Sequence, residues 1–149
     1  MHNTWIVVAH RGGARIFETA KSDQGLKMLH DIAHAQGKLK DKDLGTDRPG
    51  RGIDSHGART SFEQEQGLAA HVTEQFAREL GALLDAGRIQ NRYDKLVLVA
   101  EPHFLGILRA AQSHETAALV TAVNKDLGHL DPRELARHLE GIVRIRPGA

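Results

Sequence analysis

The sequence predicts an α/β domain built on a mixed sheet of about five strands, with helices on both faces. Three observations carry that reading. Strand-like blocks follow one another at the start of the chain with only glycine-bearing turns between them. From about residue 64 the order becomes helix, strand, helix, strand, helix. Tyr93–Ala100 is a nearly unbroken apolar run of the kind buried on both sides. Hairpins first and alternation afterwards imply antiparallel strands, then two parallel strands joined by a right-handed crossover.

Thr4–Ala9 is β-branched and aromatic (Trp5, Ile6, Val7, Val8) and short enough for a buried strand. His10-Arg11-Gly12-Gly13 makes a turn, and Ala14–Thr19 returns as a second strand with Ile16 and Phe17, closing a hairpin whose glycines permit positive φ. Without a helix directly after it, Gly12-Gly13 is a weak phosphate-binding signal. Lys21–Gly25 is the next turn. Leu26–Ala35 is ambiguous, because Leu26, Met28, His30 and Ile32 alternate while Leu29 and Ala33 fit a helical spacing; flanking turn residues favour a third strand, completing a meander. Leu68, Val72, Phe76, Leu80, Leu83 and Leu84 mark one face of an amphipathic helix from about Gln64 to Asp85, with Ser61 and Gln64 placed for an early capping box and Gly87 as its end.

After the Tyr93–Ala100 strand, Glu101-Pro102 breaks the run and Pro102 suits the first turn of a short helix carrying Phe104, Leu105, Leu108 and Ala111 and ending near Ser113. Ala117–Val123 reads as the last strand. Asp131-Pro132-Arg133-Glu134 is a helix start, with Asp as N-cap and Pro in first position, and Leu135, Leu139 and Ile142 are its expected buried stripe.

Between the third strand and the long helix, Gly45–Arg59 shows no apolar period and reads as a long loop. Arg48, Arg51 and Arg59, with Lys38, Lys40 and Lys42 just upstream, are candidate contacts for the phosphates of a nucleic acid or ribosome. Asp41, Asp43, Asp47 and Asp54 partly neutralise them. The loop motif comprises Asp47, Arg48, Pro49, Gly50, Arg51, Asp54, Ser55 and Gly57, in which Asp47 suits a local turn-shaping role through backbone N–H groups.

The chain has 149 residues, enough for one domain with a core of its own. It has no cysteine, which excludes a disulfide framework and thiol chemistry and fits a reducing, cytoplasmic setting. No apolar run approaches a membrane span, and the start runs straight into a strand rather than a leader. The net charge of +1 means that any nucleic-acid contact rests on local clustering. The ten histidines are scattered without metal-ligand spacing, so neither a metal nor another cofactor is expected. Glu18, Asp31, Glu101 and Asp126 fall on or near strand ends, but a two-metal nuclease site needs several carboxylates converging at one end of the sheet. Ser55 and His56 are adjacent, poor geometry for a nucleophile and its base. Lys125-Asp126 with His129 reads as a polar strand-to-helix connection.

Several segments, in their order and spacing, carry a resemblance: Thr4–Ala9, Ala14–Phe17, Leu44–Arg51 with Asp54-Ser55, Phe76–Leu80, Leu96–Arg109 and Lys125–Leu130. On them the chain resembles the bacterial host attachment protein family, related to the middle domain of archaeo-eukaryotic peptide-chain release factors. The resemblance implies an RNase H-like sheet and places the Gly45–Arg59 loop where release factors carry a Gly-Gly-Gln tip. Here that tip is absent; Gly50-Arg51-Gly52 and His56-Gly57-Ala58 are its nearest equivalents. Peptide release is therefore not expected. The reading that follows is a non-catalytic, translation-associated domain touching the ribosome, tRNA or rRNA through its basic loop. One alternative is a host-attachment factor acting on a protein or surface partner; another is a metal-dependent hydrolase or nuclease.

Overall fold

A computed structural model describes residues 3–10, 13–20, 25–33 and 55–142, without the side chains of residues 20, 55–66, 68 and 69. Its elements in chain order are β1 (Asn3–His10), β2 (Gly13–Ala20), β3 (Lys27–Ala33), α1 (Ser55–Ile89), β4 (Lys95–Ala100), α2 (Pro102–Ala110), α3 (His114–Ala117), β5 (Val120–Asn124) and α4 (Pro132–Leu139). The sheet has five strands in the order β3-β2-β1-β4-β5. β1, β2 and β3 form the expected antiparallel meander, and β1, β4 and β5 run parallel.

Pleating sorts the strand residues onto two faces. Trp5, Val7, Ala9, Ile16, Leu96 and Leu98 point to one, where Phe76, Leu80 and Leu84 of α1 and Phe104, Leu105 and Leu108 of α2 cover them. Ile6, Val8, Phe17, Val97 and Val99 point to the other and meet Leu127 and, from α4, Leu135 and Leu139. β4 is thus buried on both sides, as its apolar run requires, and helices lie on both faces.

β3 is an edge strand with a fault in its register. Ile16 pairs with His30, but the next residue, Phe17, pairs with Met28, so Leu29 is an extra residue in β3. Strict alternation would send Leu29 and His30 to opposite faces. With the bulge, Leu29 packs on the α1 side and His30 stands edge-on to Trp5, ring centroids 6.5 Å apart. The mixed pattern of Leu26–Ala35 is the sequence trace of this bulge.

Several expectations need correction. α1 starts at Ser55, so Ser55, His56, Gly57 and Arg59 are helical rather than part of the loop, and Ser61 lies inside the helix instead of capping it. Pro49 is the last proline before Pro102, so no residue between them forbids helix. Gly87 does not end α1. The helix runs to Ile89 and closes with Asn91 at φ 57°, while the Arg92 N–H donates to the Gly87 carbonyl at 2.8 Å, a Schellman-type end with Asn in the left-handed position. Ala117 belongs to the one-turn helix α3, capped by Ser113, and β5 begins only at Val120. Ile142 lies beyond α4 and is 41% exposed.

Candidate functional site

Lys38, Lys40, Lys42, Asp47, Arg48, Pro49, Gly50, Arg51 and Asp54 lie outside the described residues, and Ser55, Gly57 and Arg59 are placed only as the opening turns of α1.

The strand-end acids are placed, and each has its own setting. β2 runs antiparallel to β1 with Glu18 opposite Trp5, so Glu18 stands at the end of the sheet where β1 begins, where its carboxylate accepts the Trp5 indole N–H at 3.2 Å. Glu101 follows the far end of β4. It caps α2, one carboxylate oxygen accepting the Phe104 N–H at 2.6 Å and the other the His103 N–H at 3.0 Å. Asp126 is exposed just past β5, and Asp31 is exposed on edge strand β3. Glu18 is therefore a sheet's length from Glu101, and among the described residues no three His, Asp or Glu side chains group to hold a metal ion. At the Glu101 end of the sheet, the connection after β5 folds across β1. Arg15 donates to the Gly128 carbonyl at 3.2 Å, and the His10 ring leaves no room for a side chain at Gly128.

The opposite end carries a feature that sequence reasoning missed. Trp5, Leu29, His30, Leu83, Ala86, Gly87, Gln90 and Arg92 line a cleft of about 380 Å³ between the β3 bulge and the end of α1. Trp5 is only 5% exposed and lies 4.8 Å from Tyr93, centroid to centroid. A Cβ on Gly87 would sit 2.8 Å from the indole carbons, so only glycine lets α1 approach this closely. The signals in the sequence were Gly87 itself and the broken alternation of β3.

Beside the cleft, α1 is tied to α3 and its cap Ser113 by a polar cluster. Thr116, fully buried, donates to Asp85 at 2.5 Å and accepts from Arg88 Nε at 3.0 Å, and Ser113 donates to the same Asp85 oxygen at 3.0 Å. The Tyr93 hydroxyl donates to the Leu84 carbonyl at 2.6 Å. Burial raises the Tyr93 pKa above its ordinary value and the Asp85 charge adds to this; the Thr116 hydroxyl and the Arg88 charge act in the opposite sense.

No described helix is long and apolar enough to cross a membrane. No curated protein is found to match the chain. The family described as "protein required for attachment to host cells" matches residues 5–139, a span that runs from the floor of the cleft at Trp5 to the last buried leucine of α4. The chain belongs to the host attachment family.

Proposed function

We propose that this protein is a non-catalytic binding domain that serves attachment through a protein or surface partner, with residues 38–59 as the contacting segment. The observation that carries the proposal is the family match across residues 5–139, which includes that segment whole. The settings of the acids support the non-catalytic part, since Glu18 and Glu101 hold structural hydrogen bonds at opposite ends of the sheet. The strand order β3-β2-β1-β4-β5 supports a finer reading of the sheet as RNase H-like, in keeping with kinship to the release-factor middle domain.

A second reading keeps the same segment and gives it a ribosomal or RNA partner. It is favoured by the excess of Lys38, Lys40, Lys42, Arg48, Arg51 and Arg59 over the four aspartates among them. One experiment separates the two. Purified wild-type protein and the Arg48→Ala/Arg51→Ala variant are each offered host-cell surfaces and, separately, ribosomes across a salt series. The attachment reading expects binding to cell surfaces, reduced in the variant, and none to ribosomes. Ribosome binding that falls steeply with salt and is lost in the variant establishes the second reading. Cell-surface binding that the variant leaves unchanged overturns the role given to the segment.

A further inference from the structure

We infer that the cleft between the β3 bulge and the end of α1 binds a small organic anion with a planar apolar body and a single carboxylate, sulfonate or phosphate group. This does not rest on the attachment reading. The volume, about 380 Å³, lies within the range of small-molecule sites. Its walls divide by chemistry: Leu29, Leu83, Ala86 and Gly87 with the Trp5 indole are apolar, and Arg92, Gln90 and His30 supply the polar groups.

Two features of the backbone build this division. The β3 bulge turns two consecutive residues, Leu29 and His30, to the side of the sheet that carries Trp5, a re-aiming of side chains for which bulges are suited. The Schellman-type end of α1 engages the Gly87 and Arg88 carbonyls internally and delivers Arg92 to the rim. There the Arg92 Nε donates to Gln90 Oε1 at 3.2 Å, which fixes the guanidinium plane and directs its remaining N–H donors elsewhere.

The choice of an anion follows from charge. Among the described residues of the lining, Arg92 is the permanently charged side chain and none is a carboxylate. The nearby Glu18 carboxylate accepts from the Trp5 indole N–H, which leaves the indole ring its apolar surface to offer. A guanidinium fork with an amide beside it suits a carboxylate or phosphate oxygen pair, and the apolar floor suits a ring.

Trp5 is the single tryptophan of the chain, so its fluorescence reports on the cleft directly. The probe is 8-anilinonaphthalene-1-sulfonate, compared with its uncharged analogue N-phenyl-1-naphthylamine at physiological salt. Saturable quenching of Trp5 is expected, with the sulfonate at least about fivefold tighter than the neutral compound. Arg92→Gln, a change on an exposed side chain, should weaken the sulfonate about tenfold, in line with a hydrogen bond to a charged group, and leave the neutral compound unchanged. Ala86→Phe, which fills the cleft from an exposed helix position, should weaken both. Absence of saturable quenching, equal affinity for the two compounds, or indifference to both substitutions overturns the assignment.

Discussion

The two faces of the sheet are covered by different means. On one, α1 and α2 lay Phe76 and Phe104, stacked at 5.9 Å, against the strands, Trp5 of β1 is tilted against Tyr93 at 4.8 Å, and a buried polar cluster locks α1 to α3 and its cap. On the other, the eight-residue α4 reaches the sheet through Leu135 and Leu139, and its core partners are almost all aliphatic. The cleft lies on the aromatic face, where α1 ends. The α4 face is covered by aliphatic side chains, and the α1 face by aromatic ones with a binding-sized cleft beside them.

Matched leucines test this difference most strongly. Leu84 of α1 and Leu135 of α4 are each 0% exposed, and replacing either with alanine removes a buried side chain at a cost of about 2–5 kcal/mol. Leu84→Ala should lower the urea midpoint of the whole molecule, because α1 spans the larger core. Leu135→Ala should first release the amides of α4 in hydrogen exchange, since two leucines supply the buried side chains of that helix. Equal loss of protection across both faces in both variants would show that the faces unfold as one unit.

The polar cluster supplies the next effect. Thr116→Val keeps the shape but leaves Arg88 Nε without its acceptor and Asp85 short of a donor, at a cost of about 1–3 kcal/mol in urea unfolding. Tyr93 is the single tyrosine, so ultraviolet titration of its phenolate reads this region alone. Burial raises its pKa in the folded state. The folded protein therefore retains the proton after the unfolded chain has lost it. The stability contributed by the neutral hydroxyl is fully present below the unfolded tyrosine pKa of about 10, and it declines as pH rises from there through the folded value. Because the Thr116 hydroxyl lowers that pKa, Thr116→Val should move the phenolate titration further upward. A downward shift would show that the rest of the cluster sets the Tyr93 environment.

How far this arrangement was legible in the sequence depends on the kind of signal. Buried strands and capped helices leave dense local marks: the apolar run of β4 and the Asp131-Pro132 start of α4 both led to the right element. The last turns of α1 left a misleading mark, because Gly87 resembles a helix end and is instead a contact point for Trp5, a partner far away in sequence. α3 is four residues long, too short to show a period, so in sequence its Ala117 reads as part of the following strand. The cleft was illegible for a related reason. Its walls come from β1, β3, α1 and the turn after it, and the bulge that turns Leu29 toward it appears in sequence only as an interrupted alternation.

The smallest expected effect compares the two helix starts, one on each face. α2 and α4 both begin with an acidic cap followed by proline, but Glu101 is half-buried and accepts two backbone N–H groups, whereas Asp131 is exposed and accepts one, from Glu134 at 2.9 Å. Replacing a capping side chain with alanine costs about 0.5–2 kcal/mol, and the value rises with the number of donors left unpaired away from water. Glu101→Ala should therefore fall near the upper end of that range and Asp131→Ala near the lower, measured as shifts in urea midpoint. Glu101→Gln keeps oxygen and side-chain length, so it should recover part of the loss, whereas a reactive acid at this position would show no such recovery in function. If Asp131→Ala costs more than Glu101→Ala, the attachment of α4 limits stability, and the face sealed by two leucines is the weaker half of the fold.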